Sequence, residues 1–504
     1  MDRTSSIHAG DLPPDDAREP TVSGTPPQGR HRALRTVWPL ILLFAVSLPA
    51  VTTRIYASDE VQYFVFLRSA WFDHDLSFDN DYRYFYAHGT AASEGFYRTH
   101  LEMTTDTGRR LNYGTTGPAF LWAPFYGVAD LLVRVGVVAA PPDGFSHPYI
   151  AAVCYGSAFY AFAALLLSAA AARHLVDGRA GAGGMRPAII SSMVVFAGTP
   201  LVFYACVAPV FAHACSAFAV ALFVFVWLRV RRNWHARGLI ALGAAGALMA
   251  MVREQDVFFI VGPAIDLALT LGTPGRAVDR QTTASRSRLL ANACAGCLAF
   301  AIVWLPQALA YLTLNGRLGP SRLVSRKMAW SSPHALQVLI SPEYGLFFWT
   351  PLVVVCLAGL VLLAIDRTRV RDRRVMVCLL AMFVAQVYIT GCVQSWTVAG
   401  AFGQRRFVGL TVLLVIGLCA ILVRVRAKAS RALVAGLLAA CTWWNVALMV
   451  QFATGLMDRQ HLTLASNTYN AFVVVPRELP RIVYRYLWDR KSFYAAPPGG
   501  ARVE

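Results

Sequence analysis

The sequence predicts an all-α polytopic membrane protein, a bundle of about 11–13 transmembrane helices with outer-face loops and juxtamembrane helices. Three observations carry this. Of the 504 residues, 56% are hydrophobic and only 15% are charged, against roughly 25% charged in soluble domains. The apolar residues fall into blocks of about 17 to 25, the length that crosses a bilayer as helix. The chain carries a net charge of +18, but its basic residues sit in short clusters between apolar blocks. That is the pattern of cytoplasmic loops, so no nucleic-acid partner is expected.

Residues 1–33 are rich in Pro, Gly and Asp and read as a disordered cytoplasmic tail. The transmembrane domain follows over 34–455. Its candidate helices are 36–54, 118–136, 149–172, 187–206, 209–230, 238–252, 255–272, 289–314, 345–365, 374–393, 407–424 and 431–453. The basic clusters include Arg30–Arg35, Arg173–Arg186, Arg229–Arg237, Arg276–Arg288, Arg367–Arg374 and Arg424–Arg431. They alternate on one side only if 118–136, which holds Pro118, Pro124, Asp130 and Arg134, lies along the interface or re-enters. If it crosses instead, another helix breaks in two. In either case the amino terminus is inside, and loops 55–117, 315–344 and 394–406 and the tail 456–504 are outside. A bacterial inner membrane is the expected location. The tail shows one weakly amphipathic piece near 478–489 and no domain of its own. All ten cysteines lie in or beside apolar blocks, including the Cys294/Cys297 pair, and read as small buried hydrophobes.

The first outer loop holds Asp59, Glu60, Asp73, Asp75, Asp79 and Asp81 within 30 residues of a basic chain. From Glu60 the spacing of Tyr63, Phe64, Leu67 and Trp71 predicts a helix lying flat, aromatic side down. Asp59 has two readings. One is the N-cap of that helix, with Gln62 three residues on as in a capping box. The other is chemical: a carboxylate beside a membrane helix end faces low dielectric, a setting suited to accepting a proton from a hydroxyl. The four later acids lack the calcium-loop pattern, with no Gly at the sixth position and Tyr84 at the twelfth. They read first as a solvated turn, with a divalent metal or sugar contact as the alternative. No cofactor is called for, and a metal requirement stays open.

An apolar helix followed by "SDE" and an aromatic-rich amphipathic helix resembles the start of the GT-C glycosyltransferases. These include protein O-mannosyltransferases, lipid A aminoarabinose transferases and bacterial family 39-like enzymes. The blocks "NYGTTGPAFLWAPFYG" (112–127), "GTPLVFYACVAPVFAHACSAF" (198–218), "LISPEYGLFFWTPLVVVCLAGL" (339–360) and "SWTVAGAFGQRRFVGL" (395–410) are similar to bacterial members. The likeness covers roughly residues 35–455. It implies transfer of a sugar from a polyprenyl-phosphate donor to a glycan, lipid or protein acceptor outside the membrane. Asp59, with Glu60 beside it, would act at the acceptor. There are departures. The turn near 207–213 offers His213 where many relatives carry an acid, and Thr116 and Gly117 precede Pro118 where aminoarabinose transferases have Glu-Lys. Sugar and acceptor are therefore not carried over.

Outer-side cations are the candidates for holding the lipid phosphate, since guanidinium groups neutralise phosphate oxygens in paired contacts. They are Arg326 and Lys327 in "GRLGPSRLVSRKMAW", Arg405 and Arg406 at a helix mouth, and Arg253 in "VREQD" between two short apolar segments. Charge at such depth is costly and tends to be functional, although Glu254 or Asp256 could simply pair with Arg253. Tyr63, His213, Tyr344 and Trp396 are candidate substrate contacts, with an aromatic belt the alternative for the last two. A glycan polymerase or ligase and a membrane transporter are the rival readings. An outer groove between the first loop and 315–344 would favour the transferase.

Overall fold

The computed structural model describes residues 28–89, 93–176, 185–272, 286–365, 373–398, 400–425 and 427–490. The expected tail up to residue 27, the side chains of Arg30, Arg32 and Arg35, and several loop arginines from Arg179 to Arg426 lie outside the described residues. Among the described residues the chain is all-helical, with two isolated bridges and no strand. Among the described residues seven helices are long and apolar enough to cross a membrane: His147–Val176, His213–Val230, Glu254–Gly272, Arg286–Asn315, Arg373–Cys392, Arg405–Arg424 and Lys428–Thr454. Four shorter apolar helices accompany them, at Val37–Ala50, Met185–Gly198, Ala236–Val252 and Leu352–Ile365.

Burial sorts these helices. Arg405–Arg424 has 78% of its apolar window inside the protein and Arg286–Asn315 has 11%, so the first is central and the second peripheral. Leu298, Ile302, Leu305 and Leu309 form an exposed apolar row on the peripheral helix. Such a row is stable against lipid and is rare on a water-soluble monomer. Where the central helix meets Leu352–Ile365, a Cβ on Gly359 would stand 1.9 Å from the Gly417 carbonyl oxygen. Only glycine lets the two backbones cross that closely, as is common between membrane helices.

Two expected helices are shorter than their apolar blocks. The 187–206 block stops at Gly198, where Thr199–Pro200 cannot continue the helix. Asn445 Nδ2 donates to the carbonyls of Ala197 and Thr199 there, at 2.8 and 3.0 Å. The 345–365 block is likewise broken before Pro351, and its long helix starts at Leu352. Segment 118–136 forms one unbroken helix, Gly117–Arg134, despite Pro124. It packs on His147–Val176 and on the loop helix Ser58–Arg68.

The 55–117 segment is a packed cap rather than a helix lying flat on a surface. Ser58–Arg68 buries Val61, Gln62, Phe64, Val65, Phe66 and Leu67 all around its circumference. It packs against Gly117–Arg134, Ser69–Asp73 and helix Asp79–Ala87. The tail is also more ordered than its sequence suggests. Helix Val475–Trp488 is strongly amphipathic and seats Val475 beside Ala447, Val450 and Ala471. In its last turn Tyr486 donates to the Ala50 carbonyl at 2.7 Å, and just beyond it Arg490 donates to the carbonyls of Val51 (2.8 Å) and Pro49. The tail thus clasps the end of the first apolar helix, a few residues before Asp59.

Candidate active site

Asp59 is not the N-cap of its helix. Ala57 is, and it has no side-chain oxygen to offer. Glu60 reaches back instead, accepting the backbone N–H groups of Tyr56 (3.0 Å) and Ala57 (3.2 Å). These are donors that a helix start otherwise leaves unsatisfied. Gln62 does no capping work. Its carbonyl side-chain oxygen accepts from Tyr113 N at 2.8 Å, and its backbone oxygen accepts from Asn112 Nδ2 at 3.0 Å. Glu60 is fully buried and points away from solvent, so its part is to position Asp59 rather than to meet a substrate. Burial pushes its carboxyl up to about 8, against the lowering effect of the two backbone donors.

That shift sets a testable sign. A carboxyl whose value rises on folding stabilises fully below its unfolded value near 4.5 and loses that contribution as pH climbs through about 8. Glu60→Gln keeps an acceptor oxygen and cannot ionise. Its melting temperature is expected to match wild type near pH 4 and to exceed it at pH 9. A variant that melts lower than wild type at both pH values would refute this.

Asp59 itself faces a cleft of about 500 Å³. Its Oδ2 accepts from Arg405 Nη1 at 2.8 Å, and its side chain is 41% exposed. Arg405 and Arg406 open the central helix after Gly403, whose φ of +62° favours glycine at this turn. Gln404 fixes that turn by donating to the Tyr344 (2.7 Å) and Trp396 (3.3 Å) carbonyls. The Arg405 guanidinium lies 5.3 Å from the Phe211 ring centre. Arg406 donates to Ser395 O at 2.9 Å and to its Oγ at 3.2 Å.

Arg253 enters where helix Ala236–Val252 ends in one extended residue. Gly117 packs against that end so closely that a Cβ would lie 2.4 Å from Val252 N. Neither expected partner bonds Arg253. Glu254 accepts the Tyr311 hydroxyl, and Asp256 accepts Ser216 Oγ at 2.6 Å. Arg253 Nη1 is buried without a hydrogen-bond partner among the described residues. Lys327 reaches the cleft from the 315–344 segment, with its Nζ 5.9 Å from the Tyr113 ring centre. Tyr63 and His213 also line the cleft. His213 is buried, packs edge-on to Tyr204, and has no hydrogen-bond partner for Nδ1 among the described residues.

The structure therefore gathers Asp59, Tyr63, His213, Arg253, Lys327, Arg405 and Arg406 around one cleft. It does not bring Glu60, Arg326, Tyr344 or Trp396 to its walls. Arg326 is exposed at the end of helix Arg322–Arg326. Trp396 stacks on His334 with centroids 5.5 Å apart and meets Tyr344 edge-on at 5.8 Å, behind the arginine turn. Glu254 is a wall residue that sequence reasoning considered only as a partner for Arg253. Its signal was a carboxylate at a break between apolar blocks. With Arg253, Lys327, Arg405 and Arg406 against Asp59 and Glu254, the cleft carries more cations than carboxylates. It suits an anion bound beside a carboxylate.

The four later acids each have a structural partner. Asp73 pairs with Arg68, and Asp75 Oδ1 accepts from Ser69 Oγ (2.8 Å) and Ser77 N (3.0 Å). Asp79 accepts from Arg83 (2.6 Å) and Arg110 (2.7 Å). Asp81 is not solvated as the turn reading expects. It is fully buried facing Arg68 at 3.4 Å, and burial pushes its carboxyl up to about 7. Among the described residues no group of three His, Cys, Asp or Glu side chains converges as a metal site.

No protein-family model matches the chain. No curated protein matches it either.

Proposed function

We propose that this chain is a GT-C-type membrane glycosyltransferase, moving a monosaccharide from a polyprenyl-phosphate carrier to a glycan, lipid or protein acceptor at the outer face. One observation carries the reading. The first-loop carboxylate Asp59 shares a cleft with Arg253, Lys327, Arg405 and Arg406, which arrive from three other chain segments. The cleft opens between the first loop and residues 320–330, the groove expected of a transferase. Asp59 takes the proton of the acceptor hydroxyl or amine while the acceptor atom bonds the anomeric carbon. The carbon–oxygen bond to the lipid phosphate breaks, and the phosphate leaves with the electron pair against the arginines. A single displacement needs no enzyme nucleophile, so inversion is expected. Arg405 holds Asp59 in the resting state, and the incoming phosphate competes for that guanidinium.

Cells with and without the gene are the direct test. Without it, one glycan, glycolipid or glycoprotein is expected to lack a sugar, and the corresponding polyprenyl-phosphate sugar should accumulate. Identical lipid and glycan profiles would overturn the reading.

Orientation is separately testable. Arg173, Arg229 and Arg232 line one pocket at the helix ends opposite the Asp59 cleft, as positive-inside placement requires. In a variant whose ten cysteines are replaced by serine, Glu102→Cys is expected to react with an impermeant maleimide on intact spheroplasts. Reaction only after permeabilisation would invert the assignment.

A further inference from the structure

The tail helix Val475–Trp488 has two faces. Val475, Leu479 and Ile482 point inward, into a cluster with Ala447 and Val450 of the spanning helix Lys428–Thr454 and with Ala471. Trp443 Nε1 donates to the Ala471 carbonyl at 3.1 Å. On the other face Arg477 and Arg481 are exposed, one helical turn apart, with Arg481 Nη1 also 4.0 Å from Glu478 Oε2 in a solvent-exposed pair that an anionic headgroup would compete with. Tyr484 and Trp488 are 62% and 71% exposed and stack with centroids 5.8 Å apart. Successive positions 477, 481, 484 and 488 follow the 4-3-4 spacing of a single stripe.

Depth decides what that stripe meets. Lys428–Thr454 has 27 residues, about 40 Å of helix against roughly 30 Å of hydrocarbon. The tail helix packs on Ala447 and Val450, four to seven residues before its end at Thr454, or about 6–10 Å along the axis. It also rests, through Tyr486, on Ala50 at the end of the first apolar helix. Both supports lie toward span ends at the same end of the bundle. A helix at that level lies in the plane of the headgroups, and its outward stripe meets the bilayer laterally.

We propose that this stripe binds anionic phospholipid headgroups of the surrounding bilayer. Arg477 and Arg481 take the phosphates, and Tyr484 and Trp488 seat at the glycerol level. The surface does not depend on the transferase reading, since it lies on a different segment from the cleft.

The test uses the full chain in nanodiscs. A fluorophore is placed at Val483→Cys, with Cys294 and Cys297 changed to Ser. Headgroup-proximal spin-labelled phosphatidylglycerol or phosphatidylcholine is added at equal mole fraction. Quenching by the anionic lipid is expected to exceed that by the zwitterionic lipid about two-fold or more, an excess abolished by 0.5 M salt. The Arg477→Gln/Arg481→Gln double variant should lose the excess while retaining quenching by phosphatidylcholine. Equal quenching by both lipids in the parent protein would remove anionic recognition. No quenching by either would place the stripe against water or a protein partner. An unchanged excess in the double variant would take these arginines out of the site.

Discussion

Asp59→Asn is expected to abolish sugar transfer, by about 100- to 10,000-fold as is typical for loss of a general base, while the protein folds, inserts and melts as wild type does. The structure sharpens this experiment. If Asp59 capped its helix, Asn would preserve stability and Ala would cost about 1 kcal/mol. The cap is Ala57, braced by Glu60, so both Asn and Ala should leave the helix intact. Removing the carboxylate also releases Arg405 from its 2.8 Å ion pair. The donor KM should therefore stay constant or fall while kcat collapses. Purified variants assayed over a range of donor concentrations decide it. A fully active Asp59→Asn enzyme would defeat the proposed mechanism without touching the fold.

Arg405→Ala is expected to raise the donor KM by about 10- to 100-fold, the loss typical of a charge-assisted hydrogen bond. Arg405→Lys should recover part of this, because an ammonium cannot present the two-pronged fork of a guanidinium. Arg406→Ala should be milder. Arg406 already spends its guanidinium on Ser395, and its substitution also loosens the turn that carries Arg405. Arg317 is the control. It bonds Ser325 at 2.9 Å and lies off the cleft wall, so Arg317→Ala should behave as wild type. Equal activity of all three alanine variants would remove the arginine turn from the site.

The helices were legible because spanning a bilayer demands long apolar runs, and each expected run coincides with a helix. Their true ends at Gly198 and Leu352 were not, because an apolar block does not record whether Thr-Pro interrupts the hydrogen-bond ladder inside it. In the cleft, charge placed against an apolar background was the readable signal, and it singled out Asp59, Arg253, Lys327, Arg405 and Arg406, which share its walls. Contacts between distant segments were hidden. Nothing local says that Gln62 binds residues 112 and 113 rather than capping, or that Trp396 and Tyr344 brace Gln404 from behind. The tail failed for a related reason. Its apolar face is mixed with arginines and prolines, and its order comes from packing against a spanning helix that its own sequence does not mention.

The clasp of Tyr486 and Arg490 on residues 49–52 joins positions more than 430 apart in the chain. During synthesis at about 5–20 residues per second, the Asp59 loop would emerge and wait tens of seconds before its brace exists. The last span must insert before the tail can return to the first. Closing of this end of the bundle is then a late step of assembly rather than an early one. On the proposed function, a nascent or truncated chain would carry the cleft arginines before the tail closes on residues 49–52.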